Sequence, residues 1–372
     1  MVCLIMEIIK NQNTDNKKYL LETIGVLRFP LMVCVILRHI IIPNKDNYYF
    51  VNAIDLFMIE TFTLIAVPLF FFISGFLFFY GREEFGRNVY FDKLRKRIKR
   101  LLIPYLLWGV FVVGVKYIFY KIGWENSDYI FENKFIWIYY IIWRPLNIQL
   151  WFIRDLFLLV LISPLFYFLL KKLKFLFVLL IGIFWLCWHK NIFALLNIDY
   201  YMWNMNVFDV FGFDFGSVFF FSLGAWFALF NKDFTLEFKK LFPIVIVLYF
   251  IFIISKFICE DVYFSEVFSR LAIVFGLISV VAIVYMLVKN GKAKRNMFLE
   301  QGSQFIYYYH IFFLMYFCAF LKRLGIFEIK NSLVYTLVYF SIPIITILFG
   351  LLLYKIGMKY MPRVVNFVLG LK

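Results

Sequence analysis

Long apolar runs separated by short polar segments dominate the pattern of the chain. Runs near or above twenty residues recur from Leu20 to Tyr354. A helix of about twenty apolar residues crosses the roughly 30 Å hydrocarbon core of a bilayer. The pattern therefore predicts an all-α integral membrane protein, with about ten transmembrane helices in one bundle. The spans are predicted at residues 22–42, 57–80, 101–120, 150–170, 174–189, 207–230, 241–258, 267–288, 304–321 and 333–354.

The polar segments between these runs differ sharply in positive charge. With the N-terminus placed in the cytoplasm, the inner segments carry 24 Lys and Arg and the outer segments carry 8. Positive residues concentrate on the cytoplasmic side of membrane proteins, so both termini are predicted to be cytoplasmic. The predicted domains are a cytoplasmic N-terminal segment (1–21), one membrane domain (22–355) and a cytoplasmic tail (356–372). We expect the first span to act as its own anchor, without a cleaved signal peptide.

Composition excludes the other common protein classes. Hydrophobic residues make up 64% of the chain and aromatic residues 23%, more than one water-facing domain can bury. The net charge of +16 would suggest nucleic acid as a partner of a soluble protein. Here the bias toward one side of the membrane accounts for it, so we expect membrane lipids as partners and no nucleic acid. The five cysteines are scattered without a C-x-x-C pair, so neither a disulfide framework nor a metal site is predicted.

Ionisable side chains inside a span are costly, and each is a candidate functional residue. The first span carries Arg28, Arg38 and His39. Arg28 and His39 are eleven residues apart, which on a helix is three turns plus roughly 20° and a rise of about 16 Å. They therefore share one helix face, with Arg28 toward the cytoplasm. Imidazole can take and return a proton near neutral pH, and a guanidinium suits phosphate or carboxylate groups.

This pair could serve a reaction between an anionic cytoplasmic reagent and a group deprotonated deeper in the membrane. The alternative is a buried ion pair or a set of polar contacts between helices. Pro30 is a possible kink that would shift the alignment.

Three further ionisable residues are candidates for the outer, acceptor side. Glu60 could orient His39 or lie at the interface, and Asp214 could line an outer-facing cleft or lie among headgroups. His310 follows three tyrosines in the ninth span and could be catalytic or a hydrogen-bonded structural histidine. Arg270 could pair across helices.

The inner segment before the third span contains six basic residues within eight positions, from Lys93 to Arg100. Such a run usually contacts anionic lipid. Arg97 and Arg100 are nevertheless three residues apart, on one helix face, and could grip a nucleotide phosphate together. In the second span, the small pair Ser74-Gly75 either permits close helix approach or makes space for an acyl chain.

Five motifs occur in one order along the chain. They are L-R-x(10)-H at Leu27–His39, PLFFFISGFL at Pro68–Leu77, KRIKRLLIPYLLW at Lys96–Trp108, LWFIRDLFLLVLISPL at Leu150–Leu165, and FIYYYH at Phe305–His310. This set closely resembles the acyltransferase 3 family of bacterial membrane O-acyltransferases, over roughly residues 20–355. The resemblance implies a multi-pass protein of the bacterial inner membrane with no bound cofactor. It would move an acyl group, usually acetyl, from cytoplasmic acyl-CoA to a hydroxyl of a surface polysaccharide or lipid-linked glycan.

The resemblance also implies roles for single residues. His39 and Arg28 would be the essential pair, and Arg97 and Arg100 would match the basic motif near the donor. The residues expected to line or shape the tunnel are Ser74 and Gly75 on the donor side, then Trp151 and Phe152. His39 would act as the general base on the acceptor hydroxyl or as a transient acyl carrier; both remain open.

A transporter or flippase for a glycan or lipid is the alternative function. Ten spans with charges inside them also fit that class. No inverted repeat or pair of broken helices of the transporter kind is detected in the sequence. Nucleotide-hydrolysis, redox-cofactor, zinc-hydrolase and serine-hydrolase motifs are also not found.

Overall fold

The structure is a computed structural model that describes residues 2–40, 47–81, 85–124, 128–131, 135–187, 215–328 and 331–371. Within these residues every regular element is helical, and no strand occurs. The first half contains α1 (Val2–Arg38), α2 (Tyr49–Glu60), α3 (Ala66–Phe79), α4 (Arg87–Arg97), α5 (Ile103–Lys121), α6 (Asp128–Phe131), α7 (Ile136–Ile142), α8 (Trp151–Leu161), α9 (Ser163–Leu173) and α10 (Phe175–Cys187). The second half contains α11 (Phe215–Leu229), α12 (Phe234–Ile258), α13 (Val262–Lys289), α14 (Met297–Arg323), α15 (Ser332–Tyr360) and α16 (Pro362–Val368).

The all-helical membrane class is confirmed, and the number of crossings is a separate matter. Seven helical segments of the described chain are long and apolar enough to cross a bilayer, and the bent pair α8–α9 raises the number to eight. Helices α10 and α11 are apolar but shorter, at 13 and 15 residues. The count of ten spans and the cytoplasmic placement of both termini remain predictions.

The predicted span 150–170 is not one straight helix. It is divided at Ile162 into α8 and α9, which are bent by 61°. Pro164 lies in the first turn of α9, where its missing N–H leaves no hydrogen bond unmade. A new helix therefore begins there. At Pro30, by contrast, α1 continues as a helix through the proline to Arg38.

The third span begins earlier than the predicted residue 101. Helix α4 carries the basic run and joins α5 through a π-helical turn at Ile98–Leu102. A π turn is wider than an α turn and often marks a functional position. The angular relation between Arg97 and Arg100 is therefore not that of a regular α-helix, which was assumed in placing them on one face.

Helix α1 lies inside the bundle, against α3, α13 and α14. Its buried side chains are mostly apolar and include Leu27, Leu31 and Ile36. Helices α3 and α11 cross at the closest approach in the core, where Gly75 faces the Phe221 carbonyl and Gly224 faces the Phe72 carbonyl. These contacts pack α3, which carries Ser74 and Gly75, closely against α11.

The end of the chain folds back onto the N-terminal end of α5. Gln304 donates a hydrogen bond from Nε2 to the Leu369 carbonyl, at 2.7 Å. Gly370 adopts a φ of 63°, and a Cβ at this position would lie 2.6 Å from Arg100 Cα. A glycine is therefore required for this approach to the basic segment.

Candidate functional site

Helices α1 and α14 contact each other through two pairs of ionisable residues. Arg28 forms an ion pair with Glu300, and the His39 and His310 rings meet with centroids 5.4 Å apart, edge to face. The partners are eleven residues apart on α1 and ten on α14, or about 16 and 15 Å of helical rise. The two helices therefore run in the same direction, with both pairs along one seam. We call this line of contact the α1–α14 seam.

Glu300 is the centre of the end of the seam at which Arg28 lies. Its side chain is only 4% exposed and is shared by Arg28 and Arg295, whose side chains are 40% and 37% exposed. Arg295 Nη2 donates to Glu300 Oε1 at 3.0 Å. The hydrogen bond to Glu300 raises the pKa of Arg295, which lies in the loop before α14. Both arginines thus share the Glu300 carboxylate, and each side chain is partly exposed.

Two more arginines complete this end. Arg28, Arg97 and Arg100 are near enough to repel one another electrostatically. Arg97 is half-buried, with its guanidinium 5.9 Å from the centre of the Phe78 ring. Together with Arg295, these residues form a group of four cations around Glu300, with Glu22 accepting a hydrogen bond from the Arg295 backbone N–H. We call these four arginines the arginine cluster. A cluster with this excess of positive charge suits a multiply charged phosphate compound.

The hydrogen bond of His39 determines which ring nitrogen is available for chemistry. Its Nδ1 lies 2.7 Å from the Val35 carbonyl oxygen. A carbonyl oxygen can only accept, so Nδ1 carries the proton of the neutral ring. The lone pair is then on Nε2, as a general base requires. The half-buried ring is held in one orientation by its own helix.

His310 is more constrained than His39. It is fully buried, and its Nδ1 faces the carbonyls of Ile306 and Tyr307 at 3.1 and 2.8 Å. Its tautomer is therefore fixed in the same way. No residue in the described part of the chain gives its buried Nε2 a hydrogen bond. The ring that carries this acceptor atom lies beside the His39 ring.

Two amides of the α7–α8 connection fasten α14 at this level. Asn147 Nδ2 donates to the Tyr308 carbonyl at 2.8 Å. Gln149 Nε2 donates to the carbonyls of Tyr307 and Tyr308 at 3.2 and 3.1 Å. These carbonyls belong to the turn that carries His310. The two amides therefore position the histidine pair.

An aromatic row connects the histidines with α8 and α3. Tyr307 lies 6.1 Å from His310, Phe152 lies 6.0 Å from Tyr307, and Phe71 lies 4.7 Å from Phe152, between ring centroids. Trp151 lies 6.2 Å from Phe71. The row thus links Phe152, and through Phe71 also Trp151, to His310. Their part in lining a tunnel stays a prediction.

Other candidate residues have different surroundings. Glu60 forms an ion pair with Lys256, while His39 contacts Val35 and His310. Gly75, on the same helix as Ser74, faces the Phe221 backbone, so the close-approach interpretation accounts for it. Asp214 lies outside the described residues.

Arg270 has two kinds of partner. It pairs with Glu266 within its own helix and donates to the Trp185 carbonyl on α10.

Sequence reasoning missed Glu300, Arg295, Asn147 and Gln149. Glu300 had a detectable signal, because it is the one acidic residue in the basic inner segment 289–303. The two amides had none, since Asn and Gln in a connection are ordinary. In the part of the chain that the structure describes, no group of three or more His, Cys, Asp or Glu could hold a metal ion.

Comparisons with known proteins agree with the motifs. A family model described as an acyltransferase domain matches residues 21–355. Over 129 residues the chain is 30% identical to the succinoglycan biosynthesis protein ExoH of Rhizobium meliloti, which covers 33% of this chain and 34% of that protein. The match thus spans about a third of the length of this relative. No solved structure matches the chain.

Proposed function

The chain belongs to the acyltransferase 3 family, whose model covers residues 21–355, and from this premise we propose that it moves an acyl group from cytoplasmic acyl-CoA to a glycan hydroxyl. The acceptor is a surface polysaccharide or a lipid-linked glycan, and acetyl is the expected acyl group. The observation that carries the proposal is the α1–α14 seam, with the arginine cluster at one end and two histidines at the other.

The arginine cluster supports the donor half of the reaction. Acyl-CoA presents several phosphate groups at one end and a thioester at the end of a long arm. Arg28, Arg97 and Arg100 would bind the phosphates, because guanidinium groups form paired hydrogen bonds to them. The arm would then extend along the seam toward His39, about 16 Å away along the helix.

The histidine supports the transfer step. His39 Nε2 takes the proton of the acceptor hydroxyl, and the oxygen attacks the thioester carbonyl. The C–S bond breaks, the acyl group stays on the acceptor oxygen, and the CoA thiolate leaves and takes up the proton. In the variant mechanism, Nε2 attacks first and the acyl group passes to the hydroxyl from the imidazole. Both routes need the lone pair that the Val35 hydrogen bond leaves on Nε2.

The first prediction concerns His39 in cells. His39→Ala and His39→Gln are expected to abolish the acyl modification at unchanged protein level, because neither side chain can accept and return a proton. Surface and lipid-linked glycans from intact, deletion and variant strains would be compared by mass spectrometry. An acyl increment should disappear from the deletion strain and both variants.

Two results would contradict the proposal. Normal acylation with His39→Gln would exclude both mechanisms. Loss of the whole glycan on deletion, with unaltered glycan in His39→Ala, would instead favour transport.

A further inference from the structure

A cavity of about 370 Å³ opens beside the outer end of α1. Its wall includes Arg38, which directly precedes His39 in the chain, and Phe71, which belongs to the aromatic row. It thus lies at the same end of α1 as the histidine pair, and the described residues that line it include none of the arginine cluster. Its lining also includes the side chains of Trp151, Trp185, Glu266 and Arg270.

The described residues that line the cavity include more cations than anions. Arg38 and Arg270 contribute two cations, and Glu266 contributes one anion. Arg270 is held by Glu266 and by the carbonyls of Trp185 and Leu186. Arg38 is exposed and donates to the Ile59 carbonyl at 3.3 Å. Two arginine side chains therefore line the same cavity.

The rest of the wall is suited to a sugar ring. Trp151 and Trp185 offer large apolar ring faces, on which the C–H face of a pyranose can rest. The Trp185 ring is held by stacking on Phe219, with centroids 5.4 Å apart. Ligand sites are typically about 300–1,000 Å³, with apolar walls and a few polar groups that fix orientation. This cavity has the size for one sugar unit rather than a long oligosaccharide.

From these observations we infer that the outer cavity binds an anionic sugar unit of the acceptor. Arg38 and Arg270 hold its negative group, and Trp151 and Trp185 support its ring. The negative group is either the carboxylate of an acidic sugar or the phosphate that joins a glycan to its lipid carrier. The inference rests on the proposed function, because it names the acceptor class for the same reaction.

Binding to the full chain in detergent tests this inference. Three probes share one tetrasaccharide: a neutral form, a form ending in glucuronic acid, and the neutral form on a prenyl diphosphate. Equilibrium affinities would be measured by calorimetry. At least one anionic probe should bind about tenfold more tightly than the neutral one, and the probe that does so identifies the source of the charge.

The variants place the preference in the cavity. Arg38→Gln should lose most of the difference in affinity between the anionic and neutral probes, and Arg38→Lys should keep part of it. Arg270→Lys should lower the affinity for the anionic probe. Arg144→Gln removes an exposed charge that does not line the cavity and should change nothing. Equal affinity for all three probes, or an unchanged preference in Arg38→Gln, would overturn the inference.

A second measurement separates this inference from the proposed function. Transfer of label from radioactive acyl-CoA to the total glycan fraction is followed in membranes from the intact strain and from His39→Gln. If no His39-dependent transfer occurs but the anionic preference and its loss in Arg38→Gln persist, the acyl-transfer proposal fails and the anion site remains. If transfer occurs without any anionic preference, the proposed function remains and the inference fails.

Discussion

Among single residues, Glu300 determines what the neighbouring arginines can do. One buried carboxylate holds Arg28 and Arg295 in place, while each arginine side chain stays partly exposed. A buried carboxylate that loses its partners is costly, by about 3–5 kcal/mol in well-buried pairs. Loss of one arginine should therefore cost less stability than loss of Glu300, because the other arginine still pairs with the carboxylate.

A matched pair of substitutions separates stability from binding at this cluster. Arg28→Ala should weaken acyl-CoA binding about tenfold or more, yet lower the thermal midpoint little, because Arg295 still pairs with Glu300. Glu300→Ala should lower the midpoint by several degrees, because two arginines lose their common partner. Both are measured in detergent, by thermal unfolding and by saturable acyl-CoA binding.

Lys240→Ala serves as the control for this pair, since it removes an exposed cation with a local partner. A large loss of stability in Arg28→Ala, with unchanged donor affinity, would show that Arg28 is only structural.

Residue patterns in the sequence revealed one side of the seam. Arg28 and His39 were identifiable because a charge inside an apolar run is conspicuous and their spacing can be converted into a helical angle and rise. Glu300 was missed because it precedes the apolar run, where charged residues are ordinary. Glu300 faces Arg28 because of the way two helices pack, and the two residues are 272 positions apart in the chain. The periodicity of a sequence carries no information about such packing.

At the scale of helices, the crossing of α3 and α11 is the tightest constraint. Each helix places a glycine against the backbone of the other, at Gly75 and Gly224. A methyl group at either position would overlap a carbonyl oxygen, which cannot move as a flexible side chain can. The helices would have to separate along the crossing. Small residues permit such approaches between membrane helices.

Gly224→Ala is accordingly expected to destabilise the protein by about 2 kcal/mol or more, as overpacking of a rigid contact does. Gly114→Ala is the control, because nothing lies within 4 Å of the point on α5 where the added methyl group would sit. That change should be neutral or stabilise by about 0.5–1 kcal/mol, because alanine is the better helix former. Thermal unfolding of both variants in one detergent compares them; equal midpoints would refute the crossing.

Helix prediction from hydropathy succeeded for the apolar parts and failed at two junctions. The bend at Ile162 depends on Pro164, whose effect was hidden inside a continuous apolar run. The start of the third span was placed too late because the basic residues of α4 carry no apolar signal. Hydropathy detects burial in lipid and does not report helix formation at its edges.

For the whole molecule, the orientation in the membrane is the main prediction. The charge bias places residues near Arg28 and Arg295 in the cytoplasm and Arg144 outside. A single cysteine introduced at exposed position 144 should react with a membrane-impermeant maleimide in intact spheroplasts, in a chain whose own cysteines are replaced. A cysteine at exposed position 292 should react only after lysis. The opposite pattern would reverse the assignment of donor and acceptor ends.

The membrane class and the approximate helix positions could be predicted because they depend on local composition. The arrangement of α1 among α3, α13 and α14 could not. Every span is apolar on most of its surface, so its sequence does not show which face packs against which helix. The arrangement of these helices depends on contacts of glycines with backbone and on contacts between buried ionisable residues.

The α1–α14 seam also bears on electrical insulation. Between Arg28 and His39, the buried side chains of α1 are Leu31, Met32, Val35 and Ile36. Hydrocarbon side chains of this kind give no solvation to a proton or a sodium ion, whereas an uncharged acyl arm needs none. On the proposed mechanism, a covalent group passes from one aqueous compartment to the other while ions do not. The cell can then acylate glycans on its exterior with cytoplasmic thioester without dissipating the ion gradient across the membrane.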